Sequence, residues 1–225
     1  MNVAFPGTGN SGRTLSVNLV EKVHRVMLET RDPARMQNSV PQGQGQSFSE
    51  WLARNPGVKL GTYAQAAAHG AVLINATSGG GSLDALRAAG EDRMAGKILM
   101  DIANPLDFSR GMAPTLFVSN DDSLAERIQK AFPRVRVVKT LNTVTASLMV
   151  DPRSLAGGEH DMFVCGNDPA AKTEVAGYLR DWFGWKNVTD LGDITNARGT
   201  ESYLLLWVRM YGQMKTAHFN LRIVK

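Results

Sequence analysis

The sequence has a single cysteine, Cys165, among its 225 residues, and few aromatic residues (7%). One cysteine excludes an internal disulfide and argues against a small secreted fold held by cross-links. No apolar stretch approaches the roughly 18 residues needed to span a bilayer. The N-terminus lacks the basic and then apolar pattern of a signal peptide. We therefore expect a soluble, cytoplasmic protein.

The distribution of charged residues and histidines along the sequence does not indicate a nucleic-acid or metal site. The net charge is only +4 and no run of five or six like charges occurs, so no nucleic-acid partner is expected. The histidines have no metal-ligand spacing, and we expect no metal. They are His24, His69, His160 and His218.

The sequence does contain a glycine-rich turn near its N-terminus, between a strand-like run and a helical pattern. Gly7, Gly9 and Gly12 follow the apolar run Val3–Pro6 with the spacing Gly-x-Gly-x-x-Gly. In dinucleotide-binding folds the first glycine makes a tight turn, the second lets the backbone approach a pyrophosphate, and the third lets helix and strand pack closely. Free N–H groups at the helix start face the phosphates. The spacing predicts a pyrophosphate site, with a ligand-free glycine turn as the alternative.

Apolar strand-like runs alternate with helical patterns over most of the chain. This alternation predicts an α/β fold, Rossmann-like and doubly wound, with a mostly parallel sheet. The predicted strands are Val3–Pro6, Arg25–Thr30, Val58–Leu60, Ala71–Ala76, Lys97–Ile102, Val135–Val138 and Asp161–Cys165. The predicted helices are the stripe Leu15, Leu19 and Val23, then Tyr63–His69, the stripe Leu83, Leu86 and Ala89, Ser123–Ala131 and Ala170–Phe183. The Pro-, Gly- and Gln-rich segment Asp32–Gly57 predicts a loop with one helix inside it.

The end of the chain differs from the rest, because apolar residues recur there at helical spacing between Glu201 and His218. They are Leu204, Trp207, Val208, Tyr211 and Met214, widened by Leu205, Leu206 and Met210. A helix this apolar must be buried, either on its own domain or against a second subunit. We expect a dinucleotide-binding domain at residues 1–150 and a smaller α/β portion at residues 151–225, which ends in this helical appendage.

The end of the second predicted strand favours NADP over NAD. NAD sites typically carry a carboxylate there, roughly 20 residues after the glycines. Here Thr30 and Arg31 take that place, with Arg35 one helical turn later. Arginine can stack on adenine and pair with a 2′-phosphate, and threonine adds a hydroxyl without charge repulsion. Glu29 and Asp32 flank the pair and keep NAD as the alternative, although Asp32 precedes a proline and fits a turn or helix cap.

Two further strand ends are expected at the same binding site, since ligands of open parallel sheets lie in a crevice beyond the carboxyl ends of the strands. Ala76 and Thr77 follow one strand and leave room for a ribose, and Asn104 follows the next, where it can bond to the nicotinamide side. A simple turn at Asn104 is an equal alternative. The triple glycine Gly79–Gly81 favours a mobile connection over a second anion-binding loop.

No acid–base pair stands out in the sequence, which has no evident catalytic triad or set of paired carboxylates. Tyr211 and Lys215 have the spacing Tyr-x-x-x-Lys, but they lie on a helix in the wrong place for short-chain dehydrogenases. Hydride transfer between two bound cofactors needs alignment more than a general acid, so we assign no catalytic residue. The alternatives are an NADP-binding sensor without turnover and a dimeric scaffold with a vestigial nucleotide site, although the intact glycine loop weighs against the scaffold.

Together these segments resemble the NADP-dependent reductases of the deazaflavin coenzyme F420, a family that also includes the cytosolic oxidoreductase domain of membrane ferric reductases. The resemblance covers nearly the whole chain. Its segments are VAFPGTGNSGR (Val3–Arg13), ETRDP (Glu29–Pro33), DIANPLD (Asp101–Asp107), VKTLNTV (Val138–Val144), GNDPAAK (Gly166–Lys172), LGDITNARGTE (Leu191–Glu201) and the apolar helix that follows. The glycine motif is generic, but TRDP, NPLD and LNTV in this order are much more specific.

The resemblance implies an oxidoreductase that transfers hydride between NADP(H) and a second redox cofactor or small acceptor, namely a deazaflavin, a flavin or a small carbonyl compound. It also implies a homodimer, in which the C-terminal helix takes part and closes the cofactor cleft. The implied cofactor contacts are Thr8, Gly9, Asn10 and Ser11 for the pyrophosphate, Thr30, Arg31 and Arg35 for the 2′-phosphate, and Ala76, Thr77 and Thr140 for the nicotinamide end.

The chain departs from the family pattern near the place where the second substrate would enter. Archaeal deazaflavin reductases carry His-Thr-Ile-Pro where this chain has Asn142–Thr145. The polar segment around Val40–Phe48 and the run Gly79–Gly81 are further departures. NADP binding is compatible with these differences, and the identity of the hydride acceptor stays open.

Overall fold

One eight-stranded sheet runs through the computed structural model of the protein, which describes residues 1–37 and 47–224. The strands are β1 (Asn2–Pro6), β2 (Arg25–Thr30), β3 (Val58–Thr62), β4 (Val72–Asn75), β5 (Ile98–Asp101), β6 (Leu106–Asp107), β7 (Thr115–Leu116), β8 (Arg136–Thr140), β9 (Asp161–Cys165) and β10 (Asn187–Asp190). Strands β6 and β7 pair with each other as a small antiparallel hairpin apart from the sheet.

The helices mostly follow the strands, as the alternating sequence pattern predicts. They are α1 (Asn10–Glu21), α2 (Pro33–Gln37), α3 (Phe48–Arg54), α4 (Tyr63–His69), α5 (Ser82–Ala89), α6 (Glu91–Met94), α7 (Leu124–Ala131), α8 (Ala146–Val150), α9 (Pro169–Tyr178) and α10 (Ala197–Met214). Local sequence signals start several of them. Thr62, for example, accepts a hydrogen bond from the N–H of Gln65, whose side chain accepts one from the N–H of Thr62.

The order of strands in the sheet is β3-β2-β1-β4-β5-β8-β9-β10. From β3 to β8 all neighbours are parallel, whereas β9 runs antiparallel to β8 and β10 runs parallel to β9. The predicted fold class, a Rossmann-like and mostly parallel sheet with a C-terminal helix, is confirmed. The order reverses between β1 and β4, and such a switch point leaves a crevice at the carboxyl ends of the strands.

Helices cover both faces of the sheet, so that central strands such as β4 and β5 are buried along their whole length. One face packs α1, α8 and α9 around residues such as Leu15, Leu148 and Val175. The other face packs α4, α5 and α7 around Leu86 and Ile128. No helix of the described residues is both long and apolar enough to cross a membrane.

The structure corrects several local expectations. Val23, predicted on the apolar stripe of α1, lies beyond the end of the helix, is 89% exposed and has a φ of +64°. The described parts of Asp32–Gly57 hold two short helices, α2 and α3, rather than one; residues 38–46 of that loop lie outside the described residues. The helix predicted to reach Phe183 is α-helical only to Tyr178 and continues as a π-type turn. Strand β10 and the hairpin β6–β7 were not predicted.

Candidate functional site

The glycine-rich turn joins β1 to α1 where the sheet order reverses. Gly7 has a φ of +111°, and an added Cβ there would clash with the carbonyl oxygen of Ala76. An added Cβ on Gly12 would lie 2.6 Å from the carbonyl oxygen of Gly7. A Cβ on Gly9, in contrast, would meet no protein atom within 4 Å. The fold therefore requires the first and third glycines, whereas the second leaves the space beside the turn open.

The start of α1 presents backbone N–H groups to this open space. Gly9 is the N-cap residue and supplies no side-chain cap, so Asn10 and Ser11 begin a helix whose first N–H groups have no capping side chain. Arg13, which the sequence analysis did not single out, is buried and donates from Nε to the carbonyl of Thr8 at 3.0 Å. Its guanidinium lies 4.7 Å from the ring centre of Phe48 and thus ties the turn to α3. The positive end of α1 suits an anion.

A cavity of about 270 Å³ lies beside the end of β2. It is lined by Thr30, Arg31 and Arg35, the residues predicted to contact a 2′-phosphate, together with Asp32, Met36 and Tyr63. Asp32 accepts a hydrogen bond from the N–H of Arg35 at 3.0 Å, which confirms that it caps α2. Tyr63 was not predicted to lie here; burial raises the pKa of its hydroxyl, and nearby Arg31 opposes that shift. Two arginines and an aromatic ring suit a phosphorylated adenosine.

Glu29, the rival carboxylate of the sequence analysis, does not line this cavity. It is 0% exposed and lies in register between Pro6 of β1 and Gly61 of β3. Neither of its carboxyl oxygens has a hydrogen-bond partner among the described residues. Burial raises the pKa of Glu29 to about 9, so the carboxyl group is protonated at neutral pH. It therefore adds no negative charge beside the arginines.

A second cavity, of about 240 Å³, forms a crevice between the glycine turn and the ends of β4 and β5. It brings together the predicted residues Ser11, Ala76, Thr77 and Asn104 with Ser78, Gly79, Ile102, Ala103, Leu106 and Phe108. Phe108, on the hairpin that was not predicted, is 56% exposed. Gly79–Gly81 form a 3-10 turn, in which an added Cβ on Gly79 would clash with the carbonyl oxygen of Asn104. The prediction of a mobile connection did not anticipate this close packing.

Asn104 and Thr140, two of the predicted nicotinamide contacts, are placed differently in the structure. The side chain of Asn104 donates to the carbonyl of Asn142 at 2.8 Å and accepts from the Asn142 amide at 2.9 Å. Asn142 also donates to the carbonyl of Thr200 at 3.0 Å, so that this pair supports the crevice against α10. Thr140 is 1% exposed at the end of β8, outside the lining of the crevice, and its hydroxyl has no partner among the described residues.

A buried ion cluster, which the sequence analysis did not detect, lies under the crevice. The Nζ of Lys139 is 2.9 Å from Asp101 Oδ2 and 2.8 Å from Glu201 Oε1, and all three side chains are at most 2% exposed. Burial alone lowers the pKa of Lys139, but the two carboxylates outweigh it and the pKa is raised, so the ammonium keeps its proton. Glu201 also accepts hydrogen bonds from the N–H groups of Leu124 and Ala125. The cluster thus joins β5, β8, α7 and α10.

The single cysteine lies opposite Lys139 in the sheet and is buried. Burial raises the pKa of the Cys165 thiol to about 12, so at neutral pH it is a packed thiol rather than a nucleophile. Within the described ranges no group of three His, Cys, Asp or Glu residues could hold a metal ion.

The sheet order, the glycine turn and the two cavities along one sheet edge define a Rossmann-type dinucleotide-binding protein. A family model described as NADP oxidoreductase, coenzyme F420-dependent, matches residues 2–105. The chain is 51% identical to a protein of Arthrobacter sp. FB24 assigned as an F420-dependent NADP reductase. The match covers 100% of both chains with a TM-score of 0.95. The chain therefore belongs to the family of coenzyme F420-dependent NADP oxidoreductases, and it is an NADP-dependent oxidoreductase.

Two further relatives are more distant. The metalloreductase STEAP3 of Rattus norvegicus is 27% identical over 201 residues, which is 89% of this chain but only 36% of the length of that protein. An imine reductase from Myxococcus stipitatus, solved in complex with NADP+, has a TM-score of 0.65 at 18% identity over 96% of this chain and 63% of its own. That likeness concerns the fold alone.

Proposed function

We propose that NADP(H) binds along the sheet edge and that the protein transfers hydride between its nicotinamide and a second redox cofactor, in the first place the deazaflavin coenzyme F420. One observation carries the proposal. The arginine-lined cavity, the anion-binding turn and the crevice follow one another along the ends of β2, β1 and β4–β5. NADP carries its 2′-phosphate, pyrophosphate and nicotinamide in the same order.

The residues present fit this cofactor. The open space beside Gly9 admits a diphosphate at the N–H groups of α1, which Gly7 and Gly12 hold close to β4. Thr30, Arg31 and Arg35 receive the 2′-phosphate, and Ala76, Thr77 and Asn104 border the nicotinamide end, whereas Thr140 is buried at the end of β8 and does not line it. When bound, NADPH supplies the hydride, and the residues of the chain bind and orient the two rings.

The open side of the crevice supports a planar aromatic acceptor. Leu106 and the exposed ring of Phe108 form an apolar wall there, and the small side chain of Ala76 lies on the same lining. A flat ring can stack on such a wall beside the nicotinamide. The Arthrobacter relative is assigned as F420-dependent, which favours a deazaflavin, whereas the departure at Asn142–Thr145 keeps a flavin and a small carbonyl compound as alternatives.

The acceptor is tested by turnover. Purified protein is mixed with NADPH and, in separate reactions, with coenzyme F420, flavin mononucleotide or a panel of small carbonyl compounds, and the loss of nicotinamide absorbance is followed. We expect rapid oxidation with the deazaflavin and slower or no oxidation with the others. Turnover with flavin or carbonyl compounds alone would move the assignment to that acceptor. No turnover with any of them would favour an NADP-binding sensor.

The cofactor preference depends on Arg31. Replacing it by alanine removes a charge-assisted contact to the 2′-phosphate, and we expect NADPH affinity to fall about thirtyfold. NADH affinity should fall much less, since NADH has the adenine but no 2′-phosphate. Arg180→Ala, at an exposed arginine in the turn after α9, is the matched control. Titrations of both cofactors against the three proteins measure the effect, and equal losses for NADPH and NADH would contradict this role.

We also propose that residues 151–225 act as a dimerisation portion through the outer face of α10. Leu204 and Val208 are buried within the chain, whereas Leu206, Tyr211 and Met214 are 53%, 42% and 51% exposed. A second copy would cover these apolar side chains. We expect Leu206→Gln with Tyr211→Gln to halve the mass measured by light scattering. Val23→Gln, which changes an exposed apolar residue after α1 rather than on α10, should leave the mass unchanged. A double variant of unchanged mass would exclude this interface.

A further inference from the structure

The hydroxyl of Thr77, on the crevice lining, is the end of a chain of hydrogen bonds that begins at the buried ion cluster. Asp101 accepts from the ammonium of Lys139 through Oδ2. Its Oδ1 lies 2.8 Å from the side-chain nitrogen of Asn75, and the side-chain oxygen of Asn75 lies 2.7 Å from Thr77 Oγ1. Ser82 Oγ lies 2.7 Å from the same Thr77 oxygen. These contacts fix where each proton lies.

In this series of hydrogen bonds Asp101 can act only as an acceptor. Its Oδ2 faces the ammonium and its Oδ1 also receives the backbone N–H of Ala103 at 3.3 Å, so the carboxylate has no proton to donate. The group of Asn75 that faces it must therefore be the NH2. This orientation gives Asn75 two donor contacts, to Asp101 and to Ser82 Oγ at 3.2 Å. The reversed amide would place two acceptor oxygens against each other.

The orientation of Asn75 decides the role of Thr77. With its NH2 facing Asp101, Asn75 presents its carbonyl oxygen to Thr77, and the single hydroxyl proton of Thr77 is donated to it. Ser82 then donates to Thr77 at 2.7 Å rather than to the carbonyl of Ser78 at 3.4 Å, since two hydroxyl oxygens this close need one proton between them. The Thr77 oxygen has a second lone pair and no proton left for a ligand.

We infer that Thr77 acts in the crevice as a hydrogen-bond acceptor and recognises the N–H2 of a carboxamide, as in nicotinamide, rather than its carbonyl oxygen. The inference rests on the proposed function, because it takes the crevice as the nicotinamide end of the site. Thr77 is the specificity-determining residue. Lys139, Asp101 and Asn75 are positioning residues that set the direction of its hydrogen bond.

Cofactor analogues test the direction of this hydrogen bond. The 3-acetylpyridine analogue of NADP+ replaces the amide N–H2 by a methyl group, whereas the thionicotinamide analogue keeps it. We expect the wild-type protein to bind the acetyl analogue about tenfold more weakly than NADP+, and the thio analogue about as well as NADP+. In Thr77→Val the preference should disappear, and Thr77→Ser, which retains the hydroxyl, should restore it. Affinities are measured by calorimetry, with no turnover needed.

The positioning role is tested with Asp101→Asn, because an amide at position 101 allows the side-chain amide of Asn75 to take the reversed orientation. This variant should lose the preference for the N–H2 analogues but bind adenosine 2′,5′-bisphosphate, which lacks the nicotinamide, as the wild type does. If Thr77→Val keeps the full preference, or if the wild type has none, the inference is wrong. If the bisphosphate and NADP+ both fail to bind the wild type, the proposed function itself is wrong. The Thr77 variants decide the matter even if Asp101→Asn does not fold.

Discussion

Replacing Lys139 by methionine is expected to lower the free energy of unfolding by about 3–5 kcal/mol, because it leaves two buried carboxylates without their cation. Methionine fills a similar volume, so the loss is electrostatic rather than a cavity. Asp101 retains the N–H of Ala103, and Glu201 retains the N–H groups of α7, but neither keeps an opposite charge. Urea denaturation at neutral pH measures the difference.

An exposed lysine provides the control for this experiment. Lys186 pairs with Glu159 at 2.7 Å, but both side chains are about half exposed, and Lys186→Met should change stability little. Combining Lys139→Met with Asp101→Asn and Glu201→Gln removes the uncompensated charges and should recover part of the loss. If Lys139→Met were no more harmful than Lys186→Met, the cluster would not stabilise the fold.

The glycine turn and the arginine cavity were predictable because their signals are local. Gly7, Gly9 and Gly12 stand within six residues, and only their spacing and the flanking strand are needed to predict a pyrophosphate turn. Thr30 and Arg31 follow β2 directly, and any side chain at that position reaches the sheet edge. The same logic explains why Asp32 was correctly predicted as a cap.

The ion cluster could not be predicted, because it joins residues far apart in the chain. Asp101, Lys139 and Glu201 lie on β5, β8 and α10, and the charge in each segment does not indicate which distant residues it pairs with. One signal was present: Lys139 directly follows Val137 and Val138 in its strand, where an unpaired buried charge would be costly. The hairpin that carries Phe108 was missed for another reason, since its two strands have only two residues each.

Glu29 shows the limit of reading a strand end by residue type. A carboxylate next to Thr30 suggested NAD as the alternative, yet this side chain is buried in the sheet beside Pro6 and Gly61 and does not line the arginine cavity. Glycine and proline leave room for the carboxyl group but give it no partner. The arginine cavity keeps a net positive charge, because Glu29 is protonated at neutral pH and Asp32, which caps α2, offsets only one of the two arginines.

The stability of the protein should consequently fall as pH rises from about 5 to 9, and Glu29→Gln should remove much of this dependence. The pKa of Glu29 is raised to about 9 in the folded state, so between the ordinary value and 9 folding takes up a proton. Each pH unit in that window lowers the free energy of unfolding by about 1.4 kcal/mol. Below the window Glu29 is protonated in both states, and the free energy of unfolding no longer depends on its titration. Between pH 5.5 and pH 8.5 the free energy of unfolding should therefore fall by about 4 kcal/mol at most through Glu29.

The decisive quantity is the difference in stability between Glu29→Gln and the wild type, measured by urea denaturation at each pH. Glutamine keeps the shape but brings an amide that also lacks partners, which adds an offset independent of pH. As the pH rises, the variant should therefore gain stability relative to the wild type by about 1 kcal/mol or more per pH unit, whatever the difference at pH 5.5. Glu21→Gln, at an exposed position at the end of α1, should show no such trend. A constant difference for Glu29→Gln would mean that the carboxyl group is ionised in the folded protein. Glu29 would then add a negative charge beside the arginines of the cavity.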